Sequence, residues 1–204
     1  MTGEPRIPRA SVPHPDTSAL QQPHQDKALL RDTLKARRRA LDPELQAAWD
    51  QRIGARVLAW WQANPHASLA VYWPLAGEPD LGPAYAEMAA AGVRLALPVV
   101  VARHAALEFA EWRPGEPTVA DRMGVAVPAE LRMVARPPAL LVPCLGFNTL
   151  GYRVGYGGGF YDRTLAPEPR PSTVGIAYAC QLVAFDGDVH DVPLDQIITE
   201  ELIR

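Results

Sequence analysis

Between positions 151 and 163 the chain reads Gly151-Tyr152-Arg153-Val154-Gly155-Tyr156-Gly157-Gly158-Gly159-Phe160-Tyr161-Asp162-Arg163. Gly155, Gly157, Gly158 and Gly159 lack a Cβ, so the main chain can reach positive φ and a ligand can approach it closely. A glycine run that opens into a helix aims convergent N–H groups from a positive dipole end. That arrangement suits a phosphate or another anion. Arg153 can add a bidentate charge-assisted contact, and Asp162 can hold Mg2+ through oxygen. The segment matches neither G-x-G-x-x-G nor G-x-x-x-x-G-K-[ST]. A tight surface turn is therefore the competing reading. Two features favour a ligand loop. Arginine, tyrosine and aspartate accompany three consecutive glycines, and the strand-like residues 139–143 lie just upstream, where an α/β protein places such loops.

The elements that must position this segment alternate. A helix is expected from Asp26, with Asp26 as N-cap. Leu30, Leu34 and Leu41 share one face, and Lys27, Arg31, Lys35 and Arg38 form a basic stripe beside it. Asp42-Pro43 stops and restarts the chain, the aspartate as cap and the proline at the first helical position. The second helix runs to about residue 63, with Trp49, Ile53, Val57 and Trp60 as packing residues. Strands are expected at 69–73, at 93–101 with an interruption at Pro98, at 107–112, 139–143, 173–179 and 196–199. Helices are expected at 81–91, ended by Gly92, and at 158–165. Residues 113–138, rich in proline and glycine, read as a long connection. The alternation predicts a three-layer α/β fold, Rossmann-like, with a mostly parallel twisted sheet covered by helices on both faces.

The chain has 204 residues and a net charge of -3, with 48% hydrophobic and 21% charged residues. These values suit one α/β domain. Residues 1–25, rich in proline, read as a disordered extension, and 26–204 as a single domain. The charge gives no footprint for nucleic acid. No apolar run approaches the ~20 residues that span a bilayer, and no signal-peptide core is visible. Cys144 and Cys180 make neither a disulfide framework nor a metal pattern. A cytoplasmic monomer that meets small molecules, and neither nucleic acid nor membrane, is the expectation.

Residues 141–148 (Leu141-Val142-Pro143-Cys144-Leu145-Gly146-Phe147-Asn148) together with the glycine segment resemble the 5-formyltetrahydrofolate cyclo-ligase family, also called methenyltetrahydrofolate synthetase. Other pieces agree in order. Lys27-x-x-x-Arg31 resembles the family's ATP-contacting helix. Trp73-Pro74-Leu75-Ala76-Gly77-Glu78 resembles its first-strand exit, where an acidic residue meets the folate. Gly124-Val125-Ala126-Val127-Pro128 resembles a Gly-Ile-x-Glu-Pro segment. Gly175-Ile176-Ala177-Tyr178 with Gln181, then His190-Asp191-Val192-Pro193-Leu194-Asp195, resemble the C-terminal block. The sheet of that family is in turn similar to sugar-phosphate isomerase folds. Four departures stand out: Asn148 for a frequent Asp, Val127 for a common Glu, Phe160 for a common Tyr, and Cys144 for a common Gly.

The resemblance implies ATP-dependent closure of 5-formyltetrahydrofolate to 5,10-methenyltetrahydrofolate, with ATP as co-substrate and Mg2+ as cofactor. It implies Lys27, Arg31 and Arg153 on the triphosphate, with Lys27 and Arg153 in catalytic roles. Backbone donors would come from Gly155, Tyr156, Gly157, Gly158 and Gly159, continued by Phe160 and Tyr161. Asp162 and Asp195 would hold the metal. Glu78 would orient the pterin, with Trp73, Tyr156, Gly158 and Phe160 against the folate rings. Read without the resemblance, the basic stripe is a solvated face, Asp162 a charge on a helix dipole, Asp195 a turn residue and Asp80 an N-cap. Cys144 fills space, and no nucleophile is expected of it. The alternatives are a folate- or nucleotide-binding relative with weak or altered catalysis, and a sugar-phosphate isomerase.

Overall fold

A computed structural model describes residues 27–202. Helices α1 (Lys27–Arg39) and α2 (Pro43–Ala63) come first. Asp42 caps α2 as the sequence predicts: its Oδ1 accepts from the N–H groups of Glu44 and Leu45, each at 3.0 Å. The expected cap Asp26 lies outside the described residues. Strand β1 (Ser68–Ala70), helix α3 (Gly82–Ala90) and strand β2 (Arg94–Val99) form a parallel β–α–β unit. Strand β3 (Glu108–Trp112) runs antiparallel to β2.

The 113–138 connection is a correction to the sequence reading. It holds a hairpin of β4 (Thr118–Ala120) and β5 (Ala126–Pro128), then β6 (Arg132–Val134), which adds to β3 in antiparallel register. Prolines and glycines hide these short strands because they mark turns, and here the turns are one or two residues from each strand. Asp121 Oδ1 closes the hairpin turn by accepting from Met123 N–H at 2.8 Å and Val125 N–H at 2.9 Å.

Strand β7 (Ala139–Pro143) leads into a two-stranded ribbon, β8 (Gly146–Phe147) and β9 (Arg153–Val154), and then into helix α4 (Phe160–Leu165). Strands β10 (Ser172–Ile176) and β11 (Gln196–Ile198) finish the main sheet. Its seven strands lie in the order β11-β10-β7-β1-β2-β3-β6, parallel from β11 to β2. Pro98 does not interrupt β2. The pairing of β2 with β1 ends at Ala96, so the N–H that proline lacks is needed by neither neighbour there.

Alternation along β7 builds both cores. Ala139 and Leu141 join Ile53, Val57, Tyr85 and Met88 under α2 and α3, while Leu140 and Val142 join Phe109 and Leu165 under α4. The helices therefore cover both faces, as expected of three layers. From β1 the chain moves outward through β2, and from β7 it moves outward the other way through β10. The carboxyl ends of the adjacent strands β1 and β7 are thus a topological switch point, where an open α/β sheet leaves a crevice for ligands.

Candidate active site

A cavity of about 450 Å³ opens at this switch point. The exit of β1 supplies Tyr72, Trp73, Leu75 and Glu78; β2 and its exit supply Pro98 and Val100. Arg153, Val154, Gly155, Tyr156, Gly157, Gly158, Gly159, Phe160, Tyr161 and Asp162 form the opposite wall, and Lys27 and Arg31 reach in from α1. All of the expected ATP, folate and catalytic residues therefore meet in one place.

The glycine run adopts the conformation its composition allows. Gly157 has φ 94° and Gly159 φ 63°, a region that side chains disfavour. A Cβ on Gly158 would meet the Phe160 ring at 2.6 Å. Among the described residues, nothing takes the N–H groups of Gly157, Gly158 and Gly159. These are open donors beside cationic side chains, which is what an oxyanion needs. Arg163 Nη1 holds the turn from behind by donating to Gly158 O at 2.8 Å.

Each cation of the wall is steered by an oxygen. Arg31 Nε donates to Gly155 O at 2.9 Å. Lys27 Nζ lies 2.9 Å from Asp191 Oδ2 and 3.8 Å from Asp188 Oδ2. Arg153 Nη2 lies 2.8 Å from Asp162 Oδ1, and its Nη1 donates to Val192 O at 3.2 Å. The Arg153 guanidinium also sits 5.7 Å over the Tyr161 ring. Burial opposes ionisation of Asp191, yet the Asp188 N–H and the hydrogen bond and charge of Lys27 outweigh it, and its carboxyl is held below the usual range.

On the wall expected to meet the folate, Trp73 is 37% exposed and meets Trp112 edge-on with ring centroids 5.6 Å apart. One ring is thus braced while a broad apolar face stays open to the cavity. Glu78 is only 3% exposed. It is kept there by hydrogen bonds from Leu75 N–H to Oε2 at 2.9 Å and from the Tyr156 hydroxyl to Oε1 at 2.6 Å.

Asp195 is not brought to the cavity. It is exposed, and its Oδ2 accepts from Thr173 N–H at 2.8 Å and Thr173 Oγ1 at 2.9 Å. It ties β11 to β10, the turn-residue reading. Asp191 takes a cavity position instead, and the sequence reasoning missed it. Two aspartates in one short turn offered no local signal of which would face inward. Arg38 was also missed as more than part of the basic stripe. It is 6% exposed and donates to the Tyr156 hydroxyl at 2.7 Å. Asp121, Met123 and Val125, from the hairpin turn inside the supposed connection, add an unforeseen rim.

Three of the four departures have local explanations. Asn148 Oδ1 accepts from Leu150 N–H and Tyr152 N–H, both at 3.0 Å, and its Nδ2 donates to Phe185 O at 2.9 Å. A carboxylate could accept the first two but could not make the third. Val127 packs against Val99 and Ala110 in a small dry cluster. Cys144 is buried, and burial pushes its thiol up to about 12.

A family model described as the 5-formyltetrahydrofolate cyclo-ligase family matches residues 23–200. The chain belongs to that family. The 5-formyltetrahydrofolate cyclo-ligase of Escherichia coli (strain K12) is 33% identical over 174 residues, covering 81% of this chain and 96% of the relative. That of Mycoplasma pneumoniae is 29% identical, covering 86% of this chain and 99% of the relative. The solved 5,10-methenyltetrahydrofolate synthetases of Mycoplasma pneumoniae and Aquifex aeolicus superpose with TM-scores of 0.73 and 0.75, at 27% and 26% identity. They cover 86% and 87% of this chain, which in turn spans 99% and 91% of theirs. The cyclo-ligase family thus supplies both the sequence match and the fold match over nearly the whole described chain.

Proposed function

We propose that this protein closes 5-formyltetrahydrofolate to 5,10-methenyltetrahydrofolate at the expense of ATP, releasing ADP and phosphate. The observation that carries this reading is the meeting, in one cavity, of an oxyanion wall (Lys27, Arg31, Arg153 and the glycine N–H groups) with a pterin wall (Trp73 and Glu78). Membership of the family supports it.

The chemistry sets the requirements. The oxygen of a formamide is a poor leaving group until it is phosphorylated. The formyl oxygen attacks the γ-phosphorus, and the bond to ADP breaks. N10 then adds to the activated carbon, phosphate departs with the former formyl oxygen, and the N10 proton is lost. Phosphoryl transfer of this kind depends on alignment and charge neutralisation more than on a covalent catalyst. Lys27 and Arg153 hold the terminal phosphate and offset its growing charge. Arg31 and the N–H groups of Gly157, Gly158 and Gly159 fix the rest of the chain of phosphates. Glu78 accepts from the pterin N–H groups, while Trp73, Tyr156 and Phe160 enclose the flat rings and keep water from the phosphorylated intermediate.

The donor set fits Mg2+. That ion takes one or two carboxylates, several waters and phosphate oxygens, and beside Lys27 and Arg153 the cavity is lined by two carboxylates, Asp162 and Asp191. Asp162 would hold the ion, with Asp191 in the place first expected of Asp195. When bound, it neutralises the phosphate oxygens. The test is absorbance of the methenyl chromophore after protein, 5-formyltetrahydrofolate and Mg2+–ATP are mixed. A rise that needs all three components is expected; a flat trace at high protein concentration rejects the activity.

A further inference from the structure

Arg38 binds both sides of a buried junction. Its Nη2 donates to the Tyr156 hydroxyl at 2.7 Å and to Ala76 O at 3.2 Å. Its Nη1 stands 3.8 Å from Glu78 Oε1, with no hydrogen-bond partner of its own among the described residues. The Tyr156 hydroxyl in turn donates a hydrogen bond to Glu78 Oε1 at 2.6 Å. The side chains of Arg38 and Glu78 are 6% and 1% exposed, so these bonds are shielded from water and costly to break. Each Glu78 oxygen has one hydrogen-bond donor, which leaves lone pairs for a ligand. The carboxylate is oriented without being used up.

The same tyrosine stands inside the glycine run. Gly155 O, on one side of it, accepts from Arg31 Nε at 2.9 Å. On the other side, a Cβ on Gly157 would meet the Arg31 guanidinium at 3.5 Å. Arg31 therefore holds the backbone just before Tyr156 by a hydrogen bond and lies beside it just after. Arg31 and Arg38 belong to one helix, about two turns apart. Burial and the neighbouring Glu78 raise the Tyr156 hydroxyl well above the usual phenol, so it stays a donor at neutral pH.

We infer that Tyr156 is a positioning residue that couples the two halves of the cavity: its main chain belongs to the loop that takes the nucleotide, and its hydroxyl sets the Glu78 carboxylate for the pterin. This rests on the proposed assignment of those halves. A nucleotide that fixes the loop fixes Tyr156, and Tyr156 fixes Glu78. The folate and the nucleotide then tighten each other by the same factor, as linkage requires.

The test uses Tyr156→Phe, which keeps the ring and removes only the hydroxyl. The dissociation constant of 5-formyltetrahydrofolate is measured with and without a Mg2+-bound, non-hydrolysable ATP analogue. In the parent, the analogue tightens the folate about tenfold; in Tyr156→Phe this factor falls towards one. The KM for the folate at saturating ATP and the KM for ATP at saturating folate both rise about tenfold, a loss of about 1.4 kcal/mol, as reciprocal linkage requires. In a Glu78→Gln background, Tyr156→Phe changes the folate KM little further, because its effect passes through that carboxylate. A parent that turns over without coupling, a variant that keeps the coupling, or additive effects in the double variant overturn the inference alone. A parent with no turnover overturns the proposed function and this inference together.

Discussion

Arg153 Nη2 and Asp162 Oδ1 stand 2.8 Å apart, with side chains 5% and 22% exposed. The pair ties the start of β9 to the first turn of α4, across the glycine run. Arg153 therefore both shapes the loop and presents a charge to the cavity. Arg153→Ala should raise the KM for ATP by at least about tenfold, the loss of a charge-assisted contact being worth roughly 1.5–3 kcal/mol. Steady-state kinetics at varied ATP check this, and unchanged ATP kinetics would remove Arg153 from the nucleotide wall.

Asp162 and Asp195 should separate in a magnesium titration. Asp162 lines the cavity, whereas Asp195 is exposed and bound to Thr173. Asp162→Asn should raise the half-saturating Mg2+ concentration several-fold. Asp195→Ala should leave it in place and lower Tm by about 2–4 °C, as expected for about 1 kcal/mol in a chain of this size. A shifted magnesium midpoint in Asp195→Ala would return that residue to the metal site.

Stability should depend on pH through Asp191. Its folded carboxyl titrates below its ordinary value, held down chiefly by the Asp188 N–H and Lys27 against the cost of burial. Such a group stabilises the fold above its unfolded pKa, and the contribution is lost as pH falls through the folded one. Ligand-free Asp191→Asn should therefore melt below the parent at neutral pH, and the gap should close in acid, below the ordinary carboxylate range. Thermal melts across pH measure it. A gap that is independent of pH would mean that the Lys27 pairing does not act through the carboxylate charge.

Asn148 gives a prediction in the opposite direction from the family's habit. Asn148→Asp puts a carboxylate oxygen against Phe185 O in a site only 6% exposed. A destabilisation of roughly 1–3 kcal/mol is expected from the lost donor and the buried charge. Denaturant melts decide it, and an equal or higher midpoint would show that the site already accommodates the acid.

The conformation of the glycine run was legible in the sequence because its requirements are local. Glycine is favoured by the positive φ at Gly157 and Gly159, and at Gly158 the absence of a Cβ leaves room beside the Phe160 ring. The α2 cap and the strand at 139–143 were legible for the same reason. Arg38 was not, since its role arises from burial against Tyr156 and Glu78, which are distant in the chain. Asp191 and Asp195 belong to one turn, and only the packing of β11 beside β10 turns the second away from the cavity. The hairpin rim was lost because turn residues outnumbered the short strands they join.

The formyl oxygen and the terminal phosphate must meet in the one cavity between β1 and β7, and an isotope can follow that oxygen. 5-Formyltetrahydrofolate labelled with oxygen-18 in the formyl group is turned over with Mg2+–ATP in ordinary water, and the released phosphate is analysed by mass spectrometry. Direct phosphorylation predicts one labelled oxygen in each phosphate formed. Phosphate free of the label, with methenyl product still accumulating, would contradict it.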